Sequence, residues 1–221
     1  MFIVIPAYNE ASVVGSVVRE VAGTGGTVVV VDDGSKDATA EVARGAGATV
    51  VRHAVNLGQG AALHTGMQYA LDAGAELVCT FDADGQHDPA TIGRMVGEMQ
   101  ATGADVILCS RFRDDQTRVP ALKRQTLRAA LAFTRLHTRL NITDTHNGLR
   151  LMNRHAALLL KPAQPGMAHA SEMLGLVAKH HLRYREIPTV IRYSDYSVRK
   201  GQSIFNAITI LFEMFYSRLT R

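Results

Sequence analysis

Short apolar runs alternate with helical segments through the first half of the chain, and this alternation limits the fold more than any other feature. Runs rich in β-branched residues predict strands at Phe2–Ile5, Val28–Val31, Thr49–Arg52, Leu77–Phe81 and Val106–Cys109. Between them, helical patterns predict helices at Ala11–Ala22, Asp37–Ala46, Gly60–Ala73 and Pro89–Thr102. Strands that are apolar throughout are typical of a sheet covered on both faces. The order therefore predicts an α/β domain with a mostly parallel central sheet flanked by helices.

The alternation stops after Arg111, where the sequence RFRDDQTRVP predicts an irregular loop. Later elements are predicted as a helix at Pro120–Leu140, a loop and short strand in NITDTHNGLR, a helix around Ala170–His181 and a strand around Arg183–Tyr193. The sequence contains no internal repeat and no linker. We therefore expect a single domain over residues 1–221, with halves at 1–110 and 111–200 and a C-terminal amphipathic helix at 201–221.

Composition narrows the class of protein. The cysteines, Cys79 and Cys109, lie inside apolar runs and form no CxxC pair, so we expect reduced core residues in a cytosolic protein. The start of the chain lacks the pattern of a signal peptide, and no run approaches the roughly 20 apolar residues that cross a bilayer. The net charge of +4 favours an anionic small molecule or an anionic surface as partner. No nucleic-acid-binding motif is present, and we expect no such partner.

Three polar clusters follow predicted strands, at Pro6–Glu10, Asp32–Ser35 and Asp82–Asp84. In open parallel sheets, ligands bind in the crevice outside the carboxyl ends of the strands. Three polar clusters at three such ends therefore predict one ligand site at this edge of the sheet.

Asp82 and Asp84 are the most informative pair in these clusters. Residues two apart in an extended segment point to the same side, so both carboxylates could meet one cation. Mg²⁺ usually takes one or two protein carboxylates and completes its shell with water and substrate phosphates. The alternative is a solvated acidic turn that caps the next helix, but Asp88 followed by Pro89 could supply that cap alone. We therefore favour a metal site.

Asp33 ends the second predicted strand, in VVVVDDGSKDAT. Its carboxylate could accept hydrogen bonds from the N–H groups of a nucleobase. It could also belong to an Asp-Gly turn in which Ser35 or Asp37 caps the next helix, and the two roles are compatible. Asp32 is expected to support the loop.

With these residues identified, the chain resembles the family-two glycosyltransferases, the family that includes dolichyl-phosphate mannose synthase and related bacterial polyprenyl-phosphate glycosyltransferases. The resemblance extends from Ile3 to about Phe212. It rests on motifs in family order: IVIPAYNE, VVVVDDGSKDAT, NLGQGAALHTGM, FDADGQHDP, SRF, DTHNGLRLMNR, SEML and YSVRKGQS. One such motif would be weak evidence, whereas the ordered set is specific.

The resemblance implies a nucleotide-sugar-binding GT-A fold and inverting transfer from a nucleoside diphosphate sugar. It makes 1–110 the nucleotide-sugar-binding half and 111–200 the acceptor side. By position, the nucleoside would be held by Pro6, Tyr8, Glu10, Val31 and Asp33. Mg²⁺ or Mn²⁺ would be held at the motif Asp82, Ala83 and Asp84, with Gln86 as a further ligand. Positive charge for the donor phosphates would come from Arg111, Arg192 and either Arg199 or Lys200.

The acceptor side is less defined by sequence. An acceptor hydroxyl needs a general base, whereas a phosphate monoester is already anionic. Asp144 is the first candidate for a catalytic carboxylate and Glu172 the second, and for both a helix cap or a salt bridge is the alternative role. Arg150 could bind an acceptor phosphate or pair with Asp144.

The segment from Ile204 to Leu219 is apolar on more than one side and is flanked by Arg199, Lys200, Arg218 and Arg221. Such a helix could lie in a membrane interface, pack on a small membrane-protein subunit, or form a homodimer seam. The resemblance favours a polyprenyl phosphate acceptor, and so a cytoplasmic enzyme at the inner face of the membrane. A saccharide hydroxyl in polysaccharide synthesis is the alternative acceptor.

Three other classes remain open from sequence. A haloacid-dehalogenase-like phosphatase also has an aspartate pair after an apolar strand, but it expects that pair near the start of the chain. A sugar nucleotidyltransferase expects glycines after the first strand, where Pro6–Glu10 has none. A non-catalytic binding subunit is disfavoured because the aspartate pair and the basic residues are intact.

Overall fold

The computed structural model describes residues 1–113, 131–132, 134–136, 138–145, 147–164, 166 and 168–192. The predicted helix at Pro120–Leu140 lies mostly outside these residues. The predicted helix at 201–221 lies entirely outside them, as do Arg199 and Lys200.

Strands and helices alternate through the first half of the chain, as the sequence predicts. The elements are β1 (Phe2–Ala7), α1 (Val14–Ala22), β2 (Thr27–Asp32), α2 (Thr39–Gly45), β3 (Thr49–Arg52), α3 (Gln59–Asp72), β4 (Leu77–Thr80), α4 (Ala90–Thr102), β5 (Val106–Ser110), β6 (Arg150–Asn153), α5 (Arg154–Leu159), α6 (His169–Lys179) and β7 (Tyr184–Pro188).

The strands form one seven-stranded sheet in the order β3-β2-β1-β4-β6-β5-β7. Every neighbouring pair is parallel except the two made by β6, which runs antiparallel to β4 and to β5. This arrangement confirms the predicted mostly parallel sheet. It also brings Arg150, at the start of β6, beside Thr80 at the carboxyl end of β4.

Helices cover both faces of the sheet. Alternate residues of each strand point to opposite faces and so enter different apolar clusters. Ile3 and Ile5 of β1 pack into one apolar cluster with α1 and α4, and Val4 packs into a second with α3 and α6. Helix α3 approaches the sheet so closely that a Cβ on Gly66 would lie 2.3 Å from Cγ1 of Val4. The continuous apolar runs of the sequence are thus explained by helices on both faces.

Two predicted helix starts are corrected by the structure. Helix α1 begins at Val14 rather than at Ala11, because residues 11–13 form a turn in which the carbonyl of Glu10 accepts the N–H groups of Val13 and Val14. Helix α2 begins at Thr39 rather than at Asp37, whose Oδ1 accepts the N–H of Thr39 at 3.1 Å. Both starts lie where a side chain or carbonyl satisfies the first free N–H groups.

The last strand is also shorter than its pattern. It ends at Pro188 rather than at Tyr193, and the chain then crosses toward the loop after β4, where Ile191 forms a bridge with His87. Both cysteines are buried free thiols, and burial raises the pKa of Cys79 to about 12. No helix within the described ranges is long and apolar enough to span a bilayer.

Candidate active site

The loops after β1 and β2 interlock at the carboxyl edge of the sheet. The N–H of Asn9 donates to Oγ of Ser35 at 2.9 Å, and Oδ1 of Asn9 accepts the N–H of Lys36 at 2.9 Å. The N–H of Glu10 donates to Oγ1 of Thr39 at 2.8 Å. Asn9 adopts a φ of 54°, a conformation that asparagine tolerates better than most residues. The two loops therefore form one rigid rim.

All five residues assigned to the nucleoside lie at this rim. Pro6 and Val31 are register partners on β1 and β2, and the N–H of Asp33 donates to the carbonyl of Ala7 at 2.8 Å. Tyr8 is partly exposed and Glu10 is buried. The structure brings these side chains together, while their contact with a nucleoside stays a prediction.

The carboxylate of Asp33 holds the loop that leads into α3. Its oxygens accept the N–H of Leu57 at 2.9 Å and the N–H of Gly58 at 2.7 Å, and Oδ1 lies 2.7 Å from Nδ1 of His53. Nε2 of His53 contacts Oγ1 of Thr65 at 2.9 Å. The carboxylate thus serves the turn role, and the ligand role of Asp33 stays a prediction.

Asp32 lies beneath this loop and is fully buried. Its Oδ1 accepts the N–H of Ser35 at 3.0 Å, and its Oδ2 lies 3.0 Å from Nε of Arg52. These contacts confirm that Asp32 supports the loop.

Asp82 lies among positively charged and donating groups. Its Oδ2 lies 3.0 Å from Nε2 of His87, and its Oδ1 accepts from Nε2 of Gln59 at 3.3 Å. Burial alone would raise the pKa of Asp82, but the hydrogen bond and charge of His87, with the charges of His169 and Arg150, hold that pKa below its usual value. The surroundings of Asp82 therefore favour its ionised form.

Asp84 has the opposite electrostatic setting. Burial and the neighbouring charge of Asp82 raise its pKa to about 6, although its Oδ1 accepts the N–H of Gln86 at 3.0 Å. Two carboxylates that repel each other in a partly buried position fit a divalent cation, which would relieve the repulsion. The capping alternative is not needed, because Asp88 accepts the N–H of Ala90 where α4 begins.

No group of three or more His, Cys, Asp or Glu side chains that could hold a metal ion occurs in the described part of the chain. This donor set does not suit a closed structural zinc site. Two carboxylates, with the amide of Gln59 beside Asp82, suit Mg²⁺ or Mn²⁺, which bind through few protein ligands and complete their shells with phosphate oxygens. The residues therefore fit the predicted cation.

Arg111 follows β5 and is paired with Asp144. The backbone N–H and the Nε–H of Arg111 both donate to Oδ2 of Asp144, at 3.2 and 2.7 Å. Both residues are buried. Asp144 thus fixes the direction of the arginine assigned to the donor phosphates.

Arg150 brings a second buried positive charge to the site. Its Nη1 donates to Sδ of Met173 at 3.0 Å and its Nη2 to the carbonyl of Ala170 at 3.4 Å. Burial lowers the pKa of Arg150, and the charges of Asp82 and Asp144 partly offset that effect. The guanidinium therefore lies within electrostatic reach of the aspartate motif and of Asp144.

Glu172, the second candidate base, holds a loop. Its Oε2 accepts the N–H groups of Ala163 and Gln164, at 3.0 and 2.8 Å. That loop contacts the first turn of α3, where a Cβ on Gly60 would lie 2.0 Å from the carbonyl oxygen of Gln164. These contacts are structural, and a catalytic role for Glu172 stays a prediction.

Arg192 lies beside the loop after β4 that carries Asp84 and Gln86. Its role as a phosphate ligand stays a prediction. Its N–H donates to the carbonyl of Gln86 at 2.9 Å, and its half-exposed guanidinium lies 3.6 Å from Oδ2 of Asp88. Arg199 and Lys200, the other predicted phosphate ligands, lie outside the described residues.

Sequence reasoning missed several residues that the structure brings into the site: His53, Gln59, His87, His169 and Glu186. His87 lies in the motif FDADGQHDP and Gln59 in NLGQGAALHTGM, and this membership of a family motif is the sequence signal for both residues. Single histidines elsewhere, and Glu186 in an ordinary strand pattern, carry no local signal of function.

Known proteins resemble this chain in sequence and in fold. The model of glycosyl transferase family 2 matches residues 2–158. An uncharacterised protein of Methanocaldococcus jannaschii is 33% identical over 99% of this chain and 92% of its own length. The UDP-N-acetylglucosamine–dolichyl-phosphate N-acetylglucosaminyltransferase of Methanococcus voltae is 27% identical over 99% of this chain and 94% of its own length.

The solved structures agree on the fold. Glucosyl-3-phosphoglycerate synthase from Mycobacterium tuberculosis, in complex with Mn²⁺, UDP-glucose and phosphoglyceric acid, aligns with a TM-score of 0.72 at 19% identity. The alignment covers 99% of this chain and 78% of that one. Because the family model covers residues 2–158, the chain belongs to glycosyl transferase family 2. This confirms the family inferred from its motifs and makes the protein a glycosyltransferase that uses a nucleotide sugar.

Proposed function

We propose that the protein is an inverting, divalent-metal-dependent glycosyltransferase that moves a sugar from a nucleoside diphosphate sugar to a polyprenyl phosphate. The relative from Methanococcus voltae, named as a dolichyl-phosphate transferase, aligns over 99% of this chain and supports this acceptor class. The structural neighbour in complex with Mn²⁺ and UDP-glucose supports the cation.

The donor is held at the carboxyl edge of the sheet. The rim with Tyr8 and Asp33 binds the nucleoside, and Asp82, Asp84 and Gln86 hold the cation. When bound, that cation supplies positive charge to the diphosphate that leaves. Arg111, directed by Asp144, adds a cationic donor for the same phosphate oxygens.

The reaction needs one displacement. An oxygen of the acceptor phosphate forms the new bond to the anomeric carbon from the face opposite the diphosphate. The bond from that carbon to the diphosphate oxygen breaks, and its electron pair leaves with the nucleoside diphosphate. A phosphate nucleophile already carries negative charge, so no proton has to be removed by the protein.

The main support for a phosphate acceptor comes from the hydrogen bonds of the two candidate bases, Asp144 and Glu172. Oδ2 of Asp144 accepts two hydrogen bonds from Arg111, and Oε2 of Glu172 accepts two backbone N–H groups. Both carboxylates are thus engaged in structural contacts, with an arginine and with a loop backbone, rather than presented to an acceptor. This favours an acceptor that needs no base over a saccharide hydroxyl.

The location that we propose is the cytoplasmic face of a membrane, where a polyprenyl phosphate is available. The basic residues around 201–221 would attract anionic lipids. Flotation with anionic liposomes tests this, with the chain truncated after Gln202 as the control. Binding by the full chain alone supports the location, whereas a dimer that never floats supports the homodimer seam instead.

Transfer assays with three acceptors test the acceptor class. The protein, Mn²⁺ and a panel of nucleotide sugars are incubated with a polyprenyl phosphate, with phosphoglyceric acid, or with an oligosaccharide. We expect sugar-dependent release of nucleoside diphosphate with the polyprenyl phosphate, and a product of inverted anomeric configuration by NMR. Transfer only to a hydroxyl acceptor, or a retained configuration, would contradict the proposal.

A further inference from the structure

Glu186 of β7 lies at the centre of a buried network that ends at Arg111. Its side chain is only 3% exposed. Oε1 accepts the N–H groups of Thr143 and Asp144, at 2.8 and 3.2 Å. Oε2 accepts the hydroxyl proton of Thr143 at 2.7 Å. The carboxylate thus holds the backbone of the segment that carries Asp144.

The same carboxylate sets the direction of a chain of hydroxyl groups. A carboxylate only accepts, so Oγ1 of Thr143 spends its one proton on Glu186. The hydroxyl of Ser110, 2.6 Å away, must then donate to Thr143. Oγ of Ser110 in turn accepts the N–H of Phe112 at 3.1 Å. Every donor in this chain therefore points toward Glu186.

Both arms of the network meet at Arg111. Ser110 and Phe112 flank Arg111 in the chain, and Asp144 accepts both its backbone N–H and its Nε–H. One arm fixes the backbone of Arg111 through Ser110 and Thr143. The other fixes its guanidinium through Asp144, whose N–H is bonded to Glu186.

We propose that Glu186 is a positioning residue for sugar transfer, which acts by holding Thr143 and Asp144 so that Arg111 faces the donor diphosphate. Networks of this kind couple their members, because each bond orders the next. The proposal rests on the proposed function, since it assumes that Arg111 serves the departing diphosphate.

The variant that isolates this role is Glu186→Gln. Glutamine keeps one oxygen for the N–H groups of Thr143 and Asp144, but its amide must donate to Oγ1 of Thr143. The hydroxyl chain then reverses, and the proton of Ser110, which is fully buried, loses its acceptor. Thr143→Val breaks the same chain of hydroxyl groups while residue 186 stays glutamate. This variant is used if Glu186→Gln does not fold.

A matched control exists at the opposite end of the same strands. Asp105 precedes β5 and accepts hydrogen bonds from the N–H, Nε–H and Nη2–H of Arg183, just before β7. Like Glu186 it is a carboxylate that accepts backbone and side-chain hydrogen bonds from another segment, but it lies at the amino ends of these parallel strands. Asp105→Asn should affect stability and leave Arg111 undisturbed.

The first readout is a double-mutant cycle in kcat, with Arg111→Lys as the partner variant. Glu186→Gln should lower kcat roughly tenfold in the wild type and much less in the Arg111→Lys background, because residues of one network are not additive. Asp105→Asn should give the same factor in both backgrounds. If Glu186→Gln is additive with Arg111→Lys, the positioning role is refuted.

The second readout does not depend on turnover and so separates this inference from the proposed function. Glu186→Gln should speed amide hydrogen exchange at Thr143, Asp144 and Phe112, and Asp105→Asn should not. Unchanged exchange at these amides would overturn the inference whatever reaction the protein catalyses. If exchange changes as expected but the wild type transfers no sugar to any acceptor, the network stands as a holder of Arg111 and the proposed function fails.

Discussion

Gly148 lies against the carboxylate of Asp82, so closely that a Cβ on this glycine would come within 2.3 Å of Oδ2 and 2.4 Å of Oδ1. The carbonyl of Gly148 also accepts the hydroxyl of Thr80 at 2.6 Å, which fixes the approach. The segment before β6 therefore touches the aspartate motif directly, and only glycine leaves the carboxylate its position.

The first prediction follows from this contact. Gly148→Ala should push the carboxylate of Asp82 aside and lower kcat on the order of 100-fold, the usual effect of about 1 Å of misplacement in an active site. The thermal unfolding midpoint should change little, because Asp82 can move. Turnover is measured as sugar-dependent release of nucleoside diphosphate.

Gly175→Ala provides the control, since a Cβ at Gly175 of α6 would meet nothing within 4 Å. This variant should keep wild-type turnover. If Gly148→Ala is as active as Gly175→Ala, the contact has no functional importance.

The second prediction concerns Asp33. Asp33→Ala should weaken nucleoside diphosphate binding by about 1.5–3 kcal/mol, the range for a hydrogen bond to a charged group. The same variant also frees the N–H groups of Leu57 and Gly58, so loop disorder could lower affinity by itself. His53→Ala removes one partner of Asp33 but keeps the carboxylate.

Titration calorimetry measures both variants. A larger loss of affinity for Asp33→Ala than for His53→Ala shows that binding requires the carboxylate itself, through the base or through the N–H groups of Leu57 and Gly58. Unchanged affinity in a folded Asp33→Ala would remove Asp33 from the site.

The third prediction separates stability from chemistry at Gly66 of α3. Gly66→Ala should lower the free energy of unfolding by about 1–3 kcal/mol through overpacking, because the new Cβ meets Val4 and Val31. The turnover of the folded fraction should be unchanged. Gly93→Ala in α4, which has open space, should instead stabilise slightly. Urea unfolding of both variants decides, and equal stabilities would contradict the close packing of α3.

The fourth prediction is a dependence of stability on pH at Asp105. Hydrogen bonds from Arg183 lower the pKa of Asp105 to about 2, from a usual value of 3.8. A lowered pKa in the folded state contributes stability above pH 3.8, and that contribution is lost as the pH falls from 3.8 toward 2. Asp105→Asn has no such titration.

The free energy of unfolding of wild type and Asp105→Asn should therefore be compared between pH 7 and pH 2. The advantage of the wild type should be constant above about pH 5 and should shrink below pH 4. A constant difference down to pH 2 would show that the pair with Arg183 does not form in solution.

Much of the fold followed from local pattern. The strands β1 to β5 and the helices between them leave periodic signals, because each is buried on a face that its own sequence specifies. The position of β6 could not be predicted, because its pairing with β4 and β5 depends on contacts distant in sequence. The start of that strand is also hard to recognise in the sequence, because its first residue, Arg150, is charged and follows a glycine-containing loop.

The sequence predicts those site residues that lie together in short motifs. It misses those that are brought to the site only by folding from distant parts of the chain. Asp82 and Asp84 stand out because two carboxylates end an apolar strand. The sequence suggests Arg150 as a partner of Asp144; the structure pairs Asp144 with Arg111 and also brings its charge within reach of Arg150. Glu186 follows the charged Arg185 in the strand YREIP and so has the sequence pattern of an exposed residue, and only the segment packed on it reveals its burial.

The most direct test of the account is transfer from a nucleotide sugar to a polyprenyl phosphate, measured for the wild type in Mn²⁺, for the wild type in excess EDTA, and for Asp84→Asn in Mn²⁺. The account predicts glycosylated polyprenyl phosphate only in the first of these, because the partly buried, mutually repelling pair Asp82 and Asp84 binds the donor diphosphate through a cation. Circular dichroism should show that Asp84→Asn is folded. Equal product in EDTA, or wild-type turnover by folded Asp84→Asn, would contradict the account.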